Sequence, residues 1–170
     1  TDALGNVLYY RYDIRGRKVS EWGTATQPVC FGYDDANNLV TLKTFRAGTE
    51  SINTDPFERT DADETTKVFD SATGLELCKS YADNSCIVKN YDAFNRLATE
   101  TDARGIVKTY SYETARGLLL STTYSNGDTS RIYTYNHIGQ LTQVTDDAGP
   151  RTIGYTTYGE HETDTLLEAG

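Results

Sequence analysis

Tyr91-Asp92-Ala93-Phe94-Asn95-Arg96-Leu97 decides the fold, because its pattern returns along nearly the whole chain: an aromatic, an acidic or amide residue, a short turn, then a leucine. Versions stand at Tyr12-Asp13 to Arg17, Tyr33-Asp34 to Leu39, Phe69-Asp70 to Leu75, Tyr112-Glu113 to Leu118 and Tyr135-Asn136 to Leu141, and a shortened one starts at Tyr155. The seven aromatic anchors are spaced by 21, 36, 22, 21, 23 and 20 residues, so only the second interval breaks the rhythm. A period near 21 is the signature of a stacked or solenoid architecture.

Each repeat carries two turns written in one chemistry. One class is Asp2-Ala3-Leu4-Gly5, Asp102-Ala103-Arg104-Gly105 and Asp146-Asp147-Ala148-Gly149; the other is Asp13-Ile14-Arg15-Gly16, Asp34-Asp35-Ala36-Asn37, Asp92-Ala93-Phe94-Asn95 and Asn136-His137-Ile138-Gly139. A leading Asp or Asn can accept a hydrogen bond from a backbone N–H two residues on, and a closing Gly or Asn tolerates the left-handed conformation. The turn spacing leaves about six or seven residues for each strand, close to the common strand length.

Between turns the apolar residues alternate, as in Tyr10-Arg11-Tyr12, Phe31-Gly32-Tyr33, Tyr110-Ser111-Tyr112 and Tyr133-Thr134-Tyr135, which argues strand and against helix. The expected fold is all-β: antiparallel hairpins of about 21 residues tiled into one curled, spiralling sheet. The reading places a single array over residues 1–170, with repeats starting near 12, 33, 69, 91, 112, 135 and 155. Residues 46–66, with Pro56 and the acidic Asp61-Ala62-Asp63-Glu64, form an irregular insertion. If Asp102 to Gly105 closes a hairpin, Leu97 falls opposite Tyr110 and Thr99 opposite Lys108, and across the other turns Tyr91 nears Arg96 and Tyr12 nears Arg17. Leu39, Leu75, Leu97, Leu118 and Leu141 should then form one row and the anchors another. Tyr158 to Leu167 begins a further tile.

Composition narrows the function. Net charge is −9, with thirteen tyrosines and no methionine, so much of the buried surface must come from amphipathic rings. The acidic balance argues against nucleic acid or an anionic membrane as partner. No apolar run approaches the roughly 20 residues of a spanning helix, so membrane insertion is not expected. The opening Thr1-Asp2-Ala3-Leu4-Gly5 looks like the middle of a repeat, which points to a fragment of a longer protein.

The Tyr-Asp-x-x-Gly/Asn-Arg-Leu core at Tyr12 to Arg17 and Tyr91 to Leu97, followed by Thr-Asp-x-x-Gly at Thr101 to Gly105, resembles the YD repeat of Rhs proteins over nearly the whole chain. The resemblance implies β-hairpins joined into a long sheet that spirals into a hollow shell around a C-terminal effector, as in bacterial polymorphic toxins and insecticidal toxin complexes. Teneurins use a similar shell as an adhesion scaffold. It also implies secretion or display at the cell surface, neighbouring repeats of the parent chain as partners and an enclosed effector as cargo. Two features depart from the pattern: no aspartyl self-cleavage motif follows the array, and Lys18 stands where a leucine is expected.

Other candidate sites are weaker. Asp61, Asp63 and Glu64 could hold calcium, but they lack EF-hand spacing, and a solvated loop is the preferred reading. Cys78 and Cys86 could sit on two arms of a hairpin turning near Asp83-Asn84, where a disulfide is geometrically allowed if they face one another. The alternative is that all three cysteines, with Cys30, are unpaired small hydrophobes. His161 between Glu160 and Glu162 reads as exposed, since adjacent strand residues point to opposite faces. His137 and the Asp146/Asp147 pair read as turn residues. No catalytic set and no cofactor motif is present in the sequence. The expected role is a non-enzymatic scaffold; the alternative is an adhesion module that binds a glycan or a surface protein through exposed tyrosines. Two open sheet edges would also invite edge-to-edge self-association.

Overall fold

The computed structural model describes residues 3–45 and 54–166. Expectations on Asp2, on residues 46–53 of the insertion and on Leu167 lie outside them. The fold is all-β: hydrogen-bonded neighbours follow chain order from β1 to β14 in one antiparallel sheet. Backbone packing divides the chain into two compact units, Thr1–Val88 and Lys89–Gly170.

The first unit holds β1 (Leu8–Tyr12), β2 (Lys18–Gly23), β3 (Val29–Tyr33), β4 (Leu39–Thr44), β5 (Asp63–Phe69), β6 (Glu76–Ser80) and the start of β7 (Cys86–Tyr91). Its core is Val19, Trp22, Cys30 and Phe45, joined by the fully buried Pro56. Pro56 lies in a 3-10 turn, Pro56–Glu58, which the insertion lays against β2 and β3. Asp55 caps that turn by accepting the Phe57 N–H at 3.0 Å. The same carboxylate accepts the hydroxyl of the fully buried Ser20 at 3.0 Å and pairs with Arg11 at 3.2 Å, while the Arg11 guanidinium lies over Phe57. The insertion is therefore a cover over one sheet face. It satisfies a buried hydroxyl that would otherwise cost about 1–3 kcal/mol.

The second unit continues from β7 through β8 (Leu97–Thr101), β9 (Val107–Tyr112), β10 (Leu119–Tyr124), β11 (Arg131–Tyr135), β12 (Leu141–Asp146), β13 (Gly149–Tyr155) and β14 (His161–Leu166). Among its described residues no large apolar side chain is fully buried. One face instead carries facing hydroxyls, with Thr99 opposite Thr109 and Thr109 opposite Thr123; the other carries rings and charges, with Tyr110 opposite Thr122 and Lys108 opposite both Glu100 and Tyr124.

The turns take the expected form. Asp92 N–H donates to the Arg96 carbonyl at 2.9 Å, Asn95 N–H donates back to Asp92, and the Asp92 carboxylate accepts the N–H groups of Phe94 and Arg96. Asn95 closes the turn at φ 61°, the left-handed region that asparagine tolerates and bulkier residues resist. Asp13 and Asp102 repeat the arrangement.

The expected register is corrected by one residue. Tyr12 faces Lys18 instead of Arg17, and Thr99 faces Thr109 instead of Lys108, which leaves Leu97 out of register with Tyr110. The turns over residues 13–17 and 102–106 hold one more residue than the expected register allows, and beside six of the anchors a β-bulge adds another. Tyr12, Tyr33, Phe69, Tyr112, Tyr135 and Tyr155 face Lys18, Leu39, Glu76, Leu119, Leu141 and His161, and the ladder skips Val19, Val40, Leu77, Leu120, Thr142 and Glu162. A bulge at the same place in these six tiles adds local twist and re-aims the anchor ring. Turn length splits the expected leucine row. Leu39 and Leu141 face anchors, whereas Leu75 and Leu118 close longer turns and bond Asp70 and Glu113 through their carbonyls.

Candidate functional site

What recurs from tile to tile is a tyrosine staple. Tyr33 donates its hydroxyl to the Lys18 carbonyl at 3.0 Å; Tyr112, Tyr135 and Tyr155 donate to the carbonyls of Leu97, Leu119 and Leu141, each at 2.9 Å. Where the facing residue is described, the accepting carbonyl belongs to the partner of the preceding anchor: Lys18 faces Tyr12, Leu119 faces Tyr112 and Leu141 faces Tyr135. Each ring thus crosses from its own hairpin onto the one before it. The offset is constant. Ser20 faces Cys30, Thr99 faces Thr109, Ser121 faces Ile132 and Gln143 faces Thr152. From every one of these pairs the staple tyrosine lies three residues further along its strand, and the accepting carbonyl two residues back along the other. Phe69 stands at the same offset from Leu39, across the Thr41 and Thr66 pair, but has no hydroxyl to donate.

Arginine completes the unit where the motif is fullest. Arg96 is held by Asp92 at 2.7 Å and lies 4.5 Å from the Tyr112 ring centre; Arg17 is held by Asp13 at 2.7 Å and lies 4.8 Å from that of Tyr33. Arg17 also donates to the Asp34 carbonyl and to the Asn37 side chain in the next turn. The Tyr-Asp-x-x-Gly/Asn-Arg string therefore links one tile to its neighbour. The aspartate forms the turn and orients the arginine, and the arginine covers the next tyrosine's ring. Elsewhere amides substitute: Asn38 donates to Asp34, Asn136 donates to Gln140, and Gln140 reaches the Gly159 carbonyl at 2.8 Å.

Electrostatics follow from these bonds. The backbone N–H of Arg17, with further hydrogen bonds from Arg17 and Arg15, holds the Asp13 carboxyl below its ordinary 3.8. At Asp92 desolvation pulls upward, yet the Arg96 side chain and backbone leave the group lowered. Burial raises the phenols of Tyr112 and Tyr135, so both stay protonated and able to donate.

Cys78 and Cys86 do not face one another, the condition set for a disulfide. Cys86 faces Ser80 and Cys78 faces Val88, so the two cysteines are offset by two residues across the ladder, and Cys30, Cys78 and Cys86 are all free. At the acidic run the carboxylates have cationic neighbours. Asp61 pairs with Arg59 and Glu64 with Lys43, and no group of three His, Cys, Asp or Glu among the described residues is placed to hold a metal. His161 lies on β14 with its ring edge-on to Tyr155, and His137 lends only its carbonyl, to Arg116. Asp146 pairs with Arg131 at 3.7 Å and accepts the Ala148 N–H, in keeping with a turn role. The buried hydroxyl relay from Ser20 to Asp55 was beyond sequence reasoning. Nothing local marks Ser20 as buried, and its partner lies in the insertion.

Geometry alone places the chain in a class: a tandem array of antiparallel hairpins in which the tyrosines of four tiles each bond the tile before. Residues 91–129, where the staple, the turn and the arginine are all present, match the RHS Repeat family model. The chain has the fold of part of the TcdB2-TccC3 structure without its hypervariable C-terminal region. That match has a TM-score of 0.50 at 15% identity and covers 92% of this chain and 10% of that one. A Photorhabdus luminescens Tc holotoxin pore structure aligns at TM-score 0.47 and 15% identity, over 86% of this chain and 9% of that one. A further TcdB2-TccC3 structure aligns at 0.45 and 18% identity, over 91% and 11%. The chain spans about a tenth of the length of the structure it matches first. No helix among the described residues is long and apolar enough to cross a membrane.

Proposed function

We propose that this array is a non-enzymatic structural scaffold: a wall segment of a hollow hairpin-repeat shell that encloses cargo, such as a C-terminal toxin, in a secreted or surface protein. The observation that carries this reading is the staple. Its bonds lie between tiles, so an array grows by adding hairpins without any new core, as a wall must. The ladder leaves few free backbone groups between strands, which suits a barrier to water and proteases. The test is protease access in the polypeptide that contains the array. A cleavable tag placed after the array should resist digestion while the fold is intact and be cut once denaturant opens it. Cutting at the rate of the isolated tag would sink the encapsulating role.

One observation favours a second reading, an adhesion module for a glycan or a surface protein. Phe94 and Tyr158 are 74% and 92% exposed on turns and take no part in a staple. Glycan-array binding that Tyr158→Ala or Phe94→Ala removes, with the fold unchanged, would establish it.

A further inference from the structure

Cys78 and Cys86 do not face each other, but their register brings them to one corner of the sheet. β6 and β7 pair antiparallel, with Ser80 opposite Cys86 and Cys78 opposite Val88. Strand residues two apart share a face, as do residues directly opposite, so both thiols and the Ser80 hydroxyl stand on the same side. The Cys78 sulfur lies 3.5 Å from the Ser80 oxygen, so it leans along its own strand toward the level at which Cys86 crosses. Val68 and Val88 face Cys78 from either side and make the other end of the site apolar. Both thiols are free and only partly buried, in contrast to Cys30. All of these residues belong to the first unit.

We propose that Cys78 and Cys86 form a two-coordinate clip for a soft, filled-shell monovalent metal ion, with copper(I) as the representative. The proposal rests on the register of β6 and β7 and is independent of the shell reading. Distance decides between a disulfide and a metal bridge. Diagonal neighbours across a ladder stand about 7–8 Å apart, somewhat less between Cβ atoms. A disulfide holds its Cβ atoms within about 3.5–4.5 Å, which this diagonal exceeds. A metal in line between two thiolates adds two bonds of about 2.3 Å each, so the sulfurs stand roughly 4.6 Å apart and the longer diagonal is spanned.

Ligand type and number select the ion. Thiolates favour copper(I) and zinc over hard cations such as calcium and magnesium. Structural zinc takes four ligands, and no third His, Cys, Asp or Glu joins these two thiols among the described residues. Copper(I) is satisfied by two. As each sulfur–metal bond forms, its thiol gives a proton to solvent, so two protons leave per ion bound; the copper stays copper(I) and no electron moves.

The experiment is an anaerobic titration of the reduced, full 170-residue chain with copper(I) against a colorimetric copper(I) chelator. X-ray absorption of the one-to-one sample and its sedimentation accompany the titration. Wild type should retain one ion per chain, show two sulfur neighbours at the copper and sediment as single chains. Cys78→Ser and Cys86→Ser should each surrender the ion to the chelator. The decisive control relocates a thiol without changing the number of cysteines. Cys86→Ser with Ile87→Cys puts the second thiol opposite Lys79 on the other face, and should fail to hold copper(I) while its circular dichroism and denaturation midpoint stay near wild type. Cys78→Ser with Lys79→Cys makes the same displacement on β6 and replaces that control if it does not fold. Uptake below one equivalent, nitrogen or oxygen in place of the second sulfur, or an ion shared between two chains would overturn the proposal. So would retention of copper(I) by a folded variant whose thiols lie on opposite faces.

Discussion

The two halves of the chain hold the same hairpins together by different means. In Thr1–Val88 the apolar burial is concentrated: Val19, Trp22, Cys30, Phe45 and Pro56 lie under or beside the insertion, and the ladder has one described staple, from Tyr33. In Lys89–Gly170 no large apolar side chain is fully buried among the described residues, while Tyr112, Tyr135 and Tyr155 staple three successive junctions. The difference teaches where a repeat array finds stability when a face stays uncovered. Buried apolar area contributes about 25 cal/mol per Å² and needs a second layer. A staple needs only a ring and a facing carbonyl, contributing about 0.5–1.5 kcal/mol for the hydrogen bond. The irregular interval in the sequence is thus the place where the array gains a second layer.

The largest effects should come from breaking each device where it is concentrated. Asp55→Ala removes the cap of the 3-10 turn, the acceptor of the buried Ser20 hydroxyl and the partner of Arg11 together, and should cost about 2–4 kcal/mol. It should also expose the thiol beneath. Cys30 is only 4% exposed, and burial pushes its thiol up to about 11, so native protein should resist thiol labelling there at pH 8 and Asp55→Ala should label readily. Unchanged Cys30 protection would mean that the insertion is no cover.

In the second unit, Tyr112→Ala should cost about 2–3 kcal/mol through loss of ring packing, the Arg96 contact and the hydroxyl bond. Tyr112→Phe should cost about 1 kcal/mol, isolating the staple. Denaturant unfolding of both variants reads the split, and a Tyr112→Phe variant as stable as wild type would remove the hydroxyl from the account.

The all-β architecture, the turn chemistry and the positions of the anchors were legible because they depend on local rules: period-two alternation, and Asp or Asn leading a turn that Gly or Asn closes. Register was not. The bulge at Val19, Val40 and their equivalents leaves no mark in the alternation, and reading Tyr12 against Arg17 instead of Lys18 misses it by one residue. The hydroxyl staple was equally hidden, since a tyrosine that packs and one that donates look alike in sequence. One signal was present: at its own anchor position the chain uses Phe69, the one ring there without a donor, and that tile follows the insertion. The cysteine pairing stayed open in the sequence for the same reason as the register, because spacing places Cys78 and Cys86 on adjacent strands without saying which residues face.

That phenylalanine sharpens the comparison from the other side. Phe69→Tyr supplies the missing hydroxyl at the staple offset from Leu39 and should stabilise the first unit by up to about 1 kcal/mol. A gain in denaturation midpoint at constant slope is the expected result. A neutral or destabilising outcome would show that the β4 and β5 junction departs from the staple geometry of the others.

The smallest effect per residue should come from acid, because the turn aspartates are exposed and water screens them. Backbone and side-chain hydrogen bonds from Arg17 at Asp13, from Thr73 at Asp70 and from Arg104 at Asp102 hold these carboxyls below the ordinary 3.8. A carboxyl lowered on folding contributes stability that is fully present above its unfolded value and is lost as pH falls through the folded value. The array should therefore be insensitive to pH from 7 down to about 5 and weaken progressively below about 4. Carboxyl-carbon NMR titration should find Asp13 and Asp102 titrating below 3.8. Replacing Asp102 with Asn, which keeps the turn acceptor and loses the charge, should flatten part of the acid limb. An Asp102→Asn limb that superimposes on wild type would show that the Asp102 turn carries none of the acid sensitivity.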